Sequence, residues 1–215
     1  MDLMDSLSMK PEEIEEESFR IIDTEAGDHG WPGDEWQIVR RAIHTSADFE
    51  YARSMVLSDD VIEMAITALK SGAGIVTDTN MVLSGISKPR LIPFGCQVSC
   101  HVADPDVADQ ARNEGVTRSI AAMRKAVTNP DNRIFVIGNA PTALFELLRL
   151  IETGVTKPDL IIGLPVGFVG AEESKNALAS GGHDIQFITN IGRKGGSNVA
   201  AAVVNALAIL AASQQ

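Results

Sequence analysis

The segment Asn190–Ser197, NIGRKGGS, sets Arg193, Lys194 and two adjacent glycines immediately before a long apolar helical run. Small residues there let backbone N–H groups approach an anion, and the dipole of the following helix favours negative charge. The same glycines would equally serve a plain tight turn. The spacing is neither that of a P-loop nor that of a GxGxxG fingerprint, so a nucleotide phosphate has weak support. A second candidate is His44, in RRAIHTSADFE, near the C-terminal end of a helical pattern. The negative end of a helix dipole favours the imidazolium, and such a group is suited to donate a proton near neutral pH. A histidine that serves only the helix dipole would have the same address.

Other residues carry weaker signals. In GLPVGFVGAEESK, Gly163–Lys175, the apolar Val166, Phe168 and Val169 sit in a Gly/Pro loop. They would line a pocket for a large, partly apolar ligand, or fold back and be buried; local composition favours burial. His29 and His183 fall in glycine-flanked turns and are expected at the surface. Cys96, Cys100 and His101 form C-x₃-C-H, which is not the haem-attachment spacing, and nothing nearby completes a zinc set. They read as packing residues at a strand end, and no metal site is expected.

These groups need a scaffold that brings them together, and the stretch Arg133–Arg149 supplies its centre. Ile134–Ile137 is a wholly apolar run, as expected of a strand buried on both faces. Gly138 and Asn139 break it, and Pro141 suits a first helical turn. Leu144, Leu147, Leu148 and Ile151 then recur at helical spacing.

Similar units flank this one. Strands are expected at Gly74–Thr77, Gln97–Val102, Leu160–Gly163 and Ile185–Thr189. Helices are expected at Pro105–Asn113, Thr117–Val127, Ala171–Ala179 and Ser197–Ala212. Upstream lie a helix at Pro11–Thr24 with Ile14, Ile21 and Ile22 on one side and Phe19 at its margin, and a second capped by Asp34 with Trp36, Val39, Ile43 and Ala47 on one face. A third starts near Ser58 and stops at Gly72.

Strands alternating with helices imply right-handed crossovers and a mostly parallel sheet of five strands with helices on both faces. The turns after the strands, at Asp78–Asn80, Cys100–His101, Gly138–Pro141, Gly163–Gly170 and Asn190–Ser197, should converge on one edge, where open α/β sheets bind ligands. The N-terminal helices read as an extension over the same core, giving one domain across residues 1–215, with 1–10 expected as a disordered tail.

With 215 residues, 45% hydrophobic and 22% charged, the chain has the balance of a soluble globular enzyme. Aromatics are sparse at 5%, so the core must be aliphatic. The net charge of −11 argues against nucleic acid and anionic membranes as partners. It leaves room for an anionic small molecule held by local cations. Two cysteines and no apolar leader fit a reducing cytoplasm.

RRAIHTSADFE, ITALKSGAGIVTDTNMVLSGI, VTRSIAAM, IGNAPTALFELL, GLPVGFVGAEESK and GRKGGSNVAAA, in that order, resemble the precorrin-8X methylmutase (cobalt-precorrin-8 methylmutase) family from about Ser18 to the final helix. The resemblance implies a flavodoxin-like α/β fold, a homodimer and an isomerase of cobalamin biosynthesis. It implies migration of a methyl group from C-11 to C-12 of a tetrapyrrole, with no cofactor consumed, to give hydrogenobyrinate or its cobalt counterpart.

By motif match the catalytic residue is His44, protonating or hydrogen-bonding a ring nitrogen. Substrate contacts fall on Ser18, Thr79, Arg118, Asn139, Arg193, Gly195, Gly196 and Ser197. Thr45–Ala47 and Leu83–Gly85 depart from the pattern of some relatives without touching the histidine. The substrate's carboxylates would be met by Arg118, Arg193 and the glycine-rich helix start, and hand-over to neighbouring pathway enzymes is expected. Two other classes stay open at this point: a tetrapyrrole carrier without turnover, and a flavodoxin-like nucleotide or phosphate binder.

Overall fold

The computed structural model describes residues 10–180, 182 and 184–214. The expected N-terminal tail, apart from Lys10, lies outside the described residues, as does His183. The chain begins with helices α1 (Pro11–Ala26), α2 (Gly33–Ser46) and the short α3 (Tyr51–Ser54), which runs into strand β1 (Met55–Leu57). Helix α4 (Val61–Lys70) leads to β2 (Gly74–Thr77), and the short helices α5 (Asn80–Gly85) and α6 (Lys88–Leu91) lead to β3 (Val98–Cys100). Then follow α7 (Pro105–Glu114), α8 (Arg118–Ala126), β4 (Asn132–Ile137), α9 (Pro141–Glu152), β5 (Leu160–Gly163), α10 (Ala171–Ser180), β6 (Gln186–Asn190) and α11 (Ser197–Ser213).

The sheet has six strands in the order β1-β6-β5-β4-β2-β3. Five are parallel, and β1 closes one edge antiparallel to β6, with Met55 opposite Asn190. Strand β1 is additional to the five strands expected from the sequence. Its three residues carry no periodicity, and its partner lies more than a hundred residues downstream.

Buried strands explain the apolar runs. Along β4, Ile134 and Val136 pack into the cluster beneath α2, α4 and α11, while Phe135 and Ile137 enter the cluster beneath α8 and α9. Burying one such side chain contributes about 1.5–3 kcal/mol, so a strand apolar on both faces fits nowhere but the middle of a covered sheet. Helix α11 lies between sheet and α2 and is buried on most sides through Val199, Ala200, Val203, Val204, Leu207 and Leu210.

Three details of the N-terminal extension depart from the sequence reading. Helix α1 turns Phe19 and Ile22 into the core and leaves Ile14 and Ile21 exposed at 48% and 37%. Arg40 and Arg41 cross the Phe19 ring at 4.3 and 4.5 Å and fill out its pocket. Asp34 sits inside α2 rather than at its cap, because Pro32 occupies the cap and sets the entry direction. Ala47 takes a left-handed conformation that ends α2, so it leaves the apolar face.

Candidate functional site at the carboxyl edge of the sheet

The chain leaves β2 toward β3 on one side and returns to β4 on the other, so the strand order reverses between β2 and β4. Ligand crevices of open α/β sheets form at such a point. Asp78, the first residue past β2, is completely buried there. Its carboxylate accepts from Gly138 N–H at 3.0 Å, Asn139 N–H at 2.8 Å and Ala140 N–H at 2.7 Å. Burial pushes its carboxyl up, and those three donors oppose the shift. Asp78 therefore fills the N-terminal end of α9 with a protein carboxylate and fixes the turn that carries Asn139, whose side chain is exposed.

Thr79 caps α5 by accepting from Val82 N–H at 3.3 Å, and its hydroxyl lies 3.3 Å from that of Ser197. Gly138 is what lets α11 come this close. A Cβ there would stand 2.9 Å from the Ser197 Cα and 2.7 Å from Val82. On the other flank, the Thr117 and Thr142 hydroxyls are 3.2 Å apart, which sets the exposed Arg118 beside the start of α9.

The turns after β5 and β6 are tied to each other. Gly196 N–H donates to Leu164 O at 2.9 Å and Gly167 N–H to Arg193 O at 3.2 Å. At Gly195, φ is +157° and a Cβ would meet Leu164 O at 2.3 Å, so the backbone approach requires glycine. Helix α11 starts behind this pair with no side-chain cap. Arg193 is exposed, its guanidinium 5.7 Å from the Phe168 ring centroid and its Nε 4.0 Å from Glu172.

Lys194, grouped with Arg193 in the sequence as a cation before a helix, points elsewhere. It pairs with Asp48 and, at 2.7 Å, with Glu50. Those carboxylates hold its ammonium above the usual lysine range, and Asp48 is held low in return.

That ion pair joins the glycine turn to the end of α2. Asn198 Nδ2 donates to Thr45 O at 3.3 Å, and the Tyr51 hydroxyl reaches Gly195 O at 3.5 Å, its phenol pushed up to about 12 by burial. His44 thus stands one residue from a backbone carbonyl tethered to α11. It is exposed, its ring tilted 36° and 5.0 Å from that of Phe19. His44 and Ser18 together line a groove of about 310 Å³ with Ile21, Ile22, Ile43 and Phe49. A cavity of about 340 Å³ adjoins the groove through Glu25 and Phe49, and two others, of about 480 and 640 Å³, lie at the amino ends of β2–β4 and between α2 and α4. Neither adjoins the turns just described.

The residues singled out in the sequence therefore fall into two adjoining groups. Thr79, Asn139, Ser197, Gly195, Gly196, Arg193 and Arg118 belong to the sheet edge, and His44 and Ser18 to the groove at the end of α2. The loop after β5 corrects the expectation of burial: Phe168 and Val169 are 86% and 89% exposed, and Val166 is also exposed. The loop is held by its backbone to the Arg193 turn, which turns its apolar side chains outward. His29 corrects the reading of a surface histidine, since its ring stacks on Trp36 at 3.6 Å. His101 is half-buried with its Nδ1 3.0 Å from Asp104, and no group of three or more metal-binding side chains occurs among the described residues.

Two buried groups, Asp78 and Lys175, were not among the residues expected at the site. Asp78 was visible only as part of a turn, though a carboxylate directly after a buried strand at a reversal of strand order was a usable signal. Lys175, 1% exposed, donates from Nζ to Asn190 Oδ1 at 3.2 Å and to Lys194 O; burial pushes its ammonium down to about 8.

The family model described as Precorrin-8X methylmutase matches residues 13–210. The cobalt-precorrin-8 methylmutase of Priestia megaterium is 49% identical over 96% of this chain and 91% of its own length. The precorrin-8X methylmutase of Sinorhizobium sp. is 42% identical over 91% of this chain and 92% of its own. Among solved structures, the precorrin-8X methyl mutase from Thermus thermophilus superposes with a TM-score of 0.85 at 40% identity, covering 94% of this chain and 98% of that one.

Proposed function

The chain belongs to the precorrin-8X methylmutase family, and from that premise we propose how its own residues carry the reaction. The protein is a methylmutase, an isomerase of cobalamin biosynthesis that acts on precorrin-8X or cobalt-precorrin-8. A methyl group moves from C-11 to C-12 within one macrocycle, so no cofactor enters this reading.

His44 is the catalytic residue. A proton or hydrogen bond placed by its imidazole on a ring nitrogen beside the migrating centre draws electron density toward that nitrogen and favours the rearranged conjugation. The observation that carries this reading is the groove. His44 and Ser18 face a largely apolar surface fit for a flat macrocycle, while the backbone at Thr45 is tethered to the helix start behind Gly195 and Gly196.

Two helix N-termini meet at the sheet edge. Asp78 fills that of α9, and that of α11 has no side-chain cap, so α11 is the one that suits a substrate carboxylate. Arg193 and Arg118, exposed on either side, attract and orient the other acidic arms, with Thr79, Asn139 and Ser197 as hydrogen-bonding partners. The exposed Val166, Phe168 and Val169 cover apolar parts of the ring.

Arg193→Ala is expected to weaken substrate binding about tenfold, the size of one lost charge-assisted hydrogen bond. Its rate at saturating substrate should stay within about threefold of wild type. Equilibrium titration and single-turnover kinetics check this split. A variant that binds normally but turns over slowly would move Arg193 into the transition state.

The parallel strands in spatial order follow the 2-1-3-4-5 pattern, which supports a flavodoxin-like fold. The span of the family match, residues 13–210, supports one methylmutase domain over residues 1–215. The exposed Ile14 and Ile21 on α1 support a homodimer. Sedimentation at micromolar concentration should give twice the chain mass, and a clean monomer would remove that reading. The cytoplasm is the proposed compartment; among the described residues no helix is long and apolar enough to cross a membrane.

A further inference from the structure

We propose that Lys175 is a positioning residue for carboxylate recognition: its ammonium holds the turn after β6 in the shape that presents Arg193 and the Gly195–Gly196 amides to the substrate. The inference rests on the reading of that turn as a carboxylate site. Lys175 lies on α10, in a different part of the chain from the turn, and is buried to 1% exposure. One of its donors goes to Lys194 O and another to Asn190 Oδ1. Asn190, itself buried, uses its own amide to donate to Ile191 O at 3.1 Å and Lys194 O at 3.0 Å. The two side chains therefore pin both ends of the four-residue arch 191–194.

Two backbone bonds also hold the arch, from Ile191 N–H to Ser54 O at 2.7 Å and from Gly167 N–H to Arg193 O at 3.2 Å, but few side chains do. Ile191, Arg193 and the following Gly195 contribute no buried side chain, and the Arg193 guanidinium lies near Phe168 and Glu172 without burying itself. Its outer strut, Lys194 to Asp48 and Glu50, is exposed to solvent and screened by salt. The inner strut is dry.

Folding alone does not call for a lysine at this position. Among the described residues no carboxylate stands within hydrogen-bond reach of the buried ammonium. An apolar side chain of similar volume would avoid the cost of desolvating a charge. A buried ammonium whose donors converge on one carbonyl and one amide, beside a glycine turn, is spent on fixing the turn.

The experiment compares Lys175→Met, Lys175→Gln, Arg193→Ala and the Lys175→Met/Arg193→Ala double variant, using metal-free precorrin-8X as the probe. Lys175→Met should keep its melting temperature within about 3 °C of wild type, bind substrate about tenfold more weakly and react at a near-normal rate once saturated. Lys175→Gln, which keeps one donor, should fall between. Because Lys175 acts through the turn that carries Arg193, the double variant should bind no more than about threefold worse than the weaker single variant.

Arg193→Ala with impaired binding beside Lys175→Met with normal binding would overturn this inference and leave the carboxylate site standing. Fully multiplied losses in the double variant would overturn it too. Normal binding by Arg193→Ala would instead remove the carboxylate site, and the role of Lys175 with it. Should Lys175→Met not fold, normal binding by a folded Lys175→Gln, or failure of both to fold, would assign the lysine to folding alone and overturn the proposal.

Discussion

His44→Asn is expected to bind the macrocycle with little loss and to convert it about 10²–10⁴-fold more slowly, the range general acid catalysis contributes. Asparagine keeps a hydrogen-bonding amide of similar reach but delivers no proton near neutral pH. The fold should not suffer, because the imidazole is exposed at the end of α2 and its closest ring neighbour, Phe19, keeps both arginine contacts. A folded variant working at near the wild-type rate would return His44 to the role of a helix-end residue.

Asp78→Ala is expected to have the largest effect on stability. The carboxylate is completely buried and serves three backbone donors on another segment. Each amide left unpaired in a buried site costs about 1–3 kcal/mol. Water entering the vacated space recovers part of that, so the net loss should be about 3–5 kcal/mol. In a chain of this size that lowers the melting temperature by on the order of 10 °C. Substrate affinity should fall as well, because Asn139 sits on the turn that Asp78 fixes. Asp78→Asn retains an acceptor and should lose less on both counts. Calorimetry and substrate titration check the pair. A melting temperature within about 2 °C of wild type for Asp78→Ala would mean that the turn holds itself.

These two residues mark what could be read from the chain. The place of His44 in the last turn of α2 was legible because its setting is local: a helical pattern, its end and an imidazole lie within a few residues. The parallel strands were legible for the same kind of reason. Four apolar residues in a row at Ile134–Ile137 have no good place except a sheet covered on both faces, and the alternation of their side chains between two cores bears that out.

What escaped depended on distant partners. The amides that Asp78 serves lie 60 to 62 residues away, and Lys175 meets its acceptors 15 and 19 residues on. Strand β1 becomes a strand through pairing with β6, and Lys194 is turned away from Arg193 by Asp48, 146 residues earlier. The exposure of Phe168 and Val169 is of the same kind. Composition argued for burial, but the bond from Gly167 N–H to Arg193 O sets the loop's direction, and that bond joins two separate strand ends.

The methyl shift is followed most directly by carbon NMR of product formed from substrate carrying carbon-13 both in the methyl group at C-11 and in ring carbon C-12, mixed with an equal amount of unlabelled substrate, for wild type and His44→Asn; a labelled methyl coupled to a labelled C-12 has not left its own molecule. An intramolecular shift assisted by His44 requires that wild type deliver the methyl label to C-12 with no exchange between molecules, and that the variant, at matched substrate occupancy, leave nearly all of it at C-11 over the same interval. Label appearing at C-12 equally fast with both proteins, or scrambled between molecules, would contradict it.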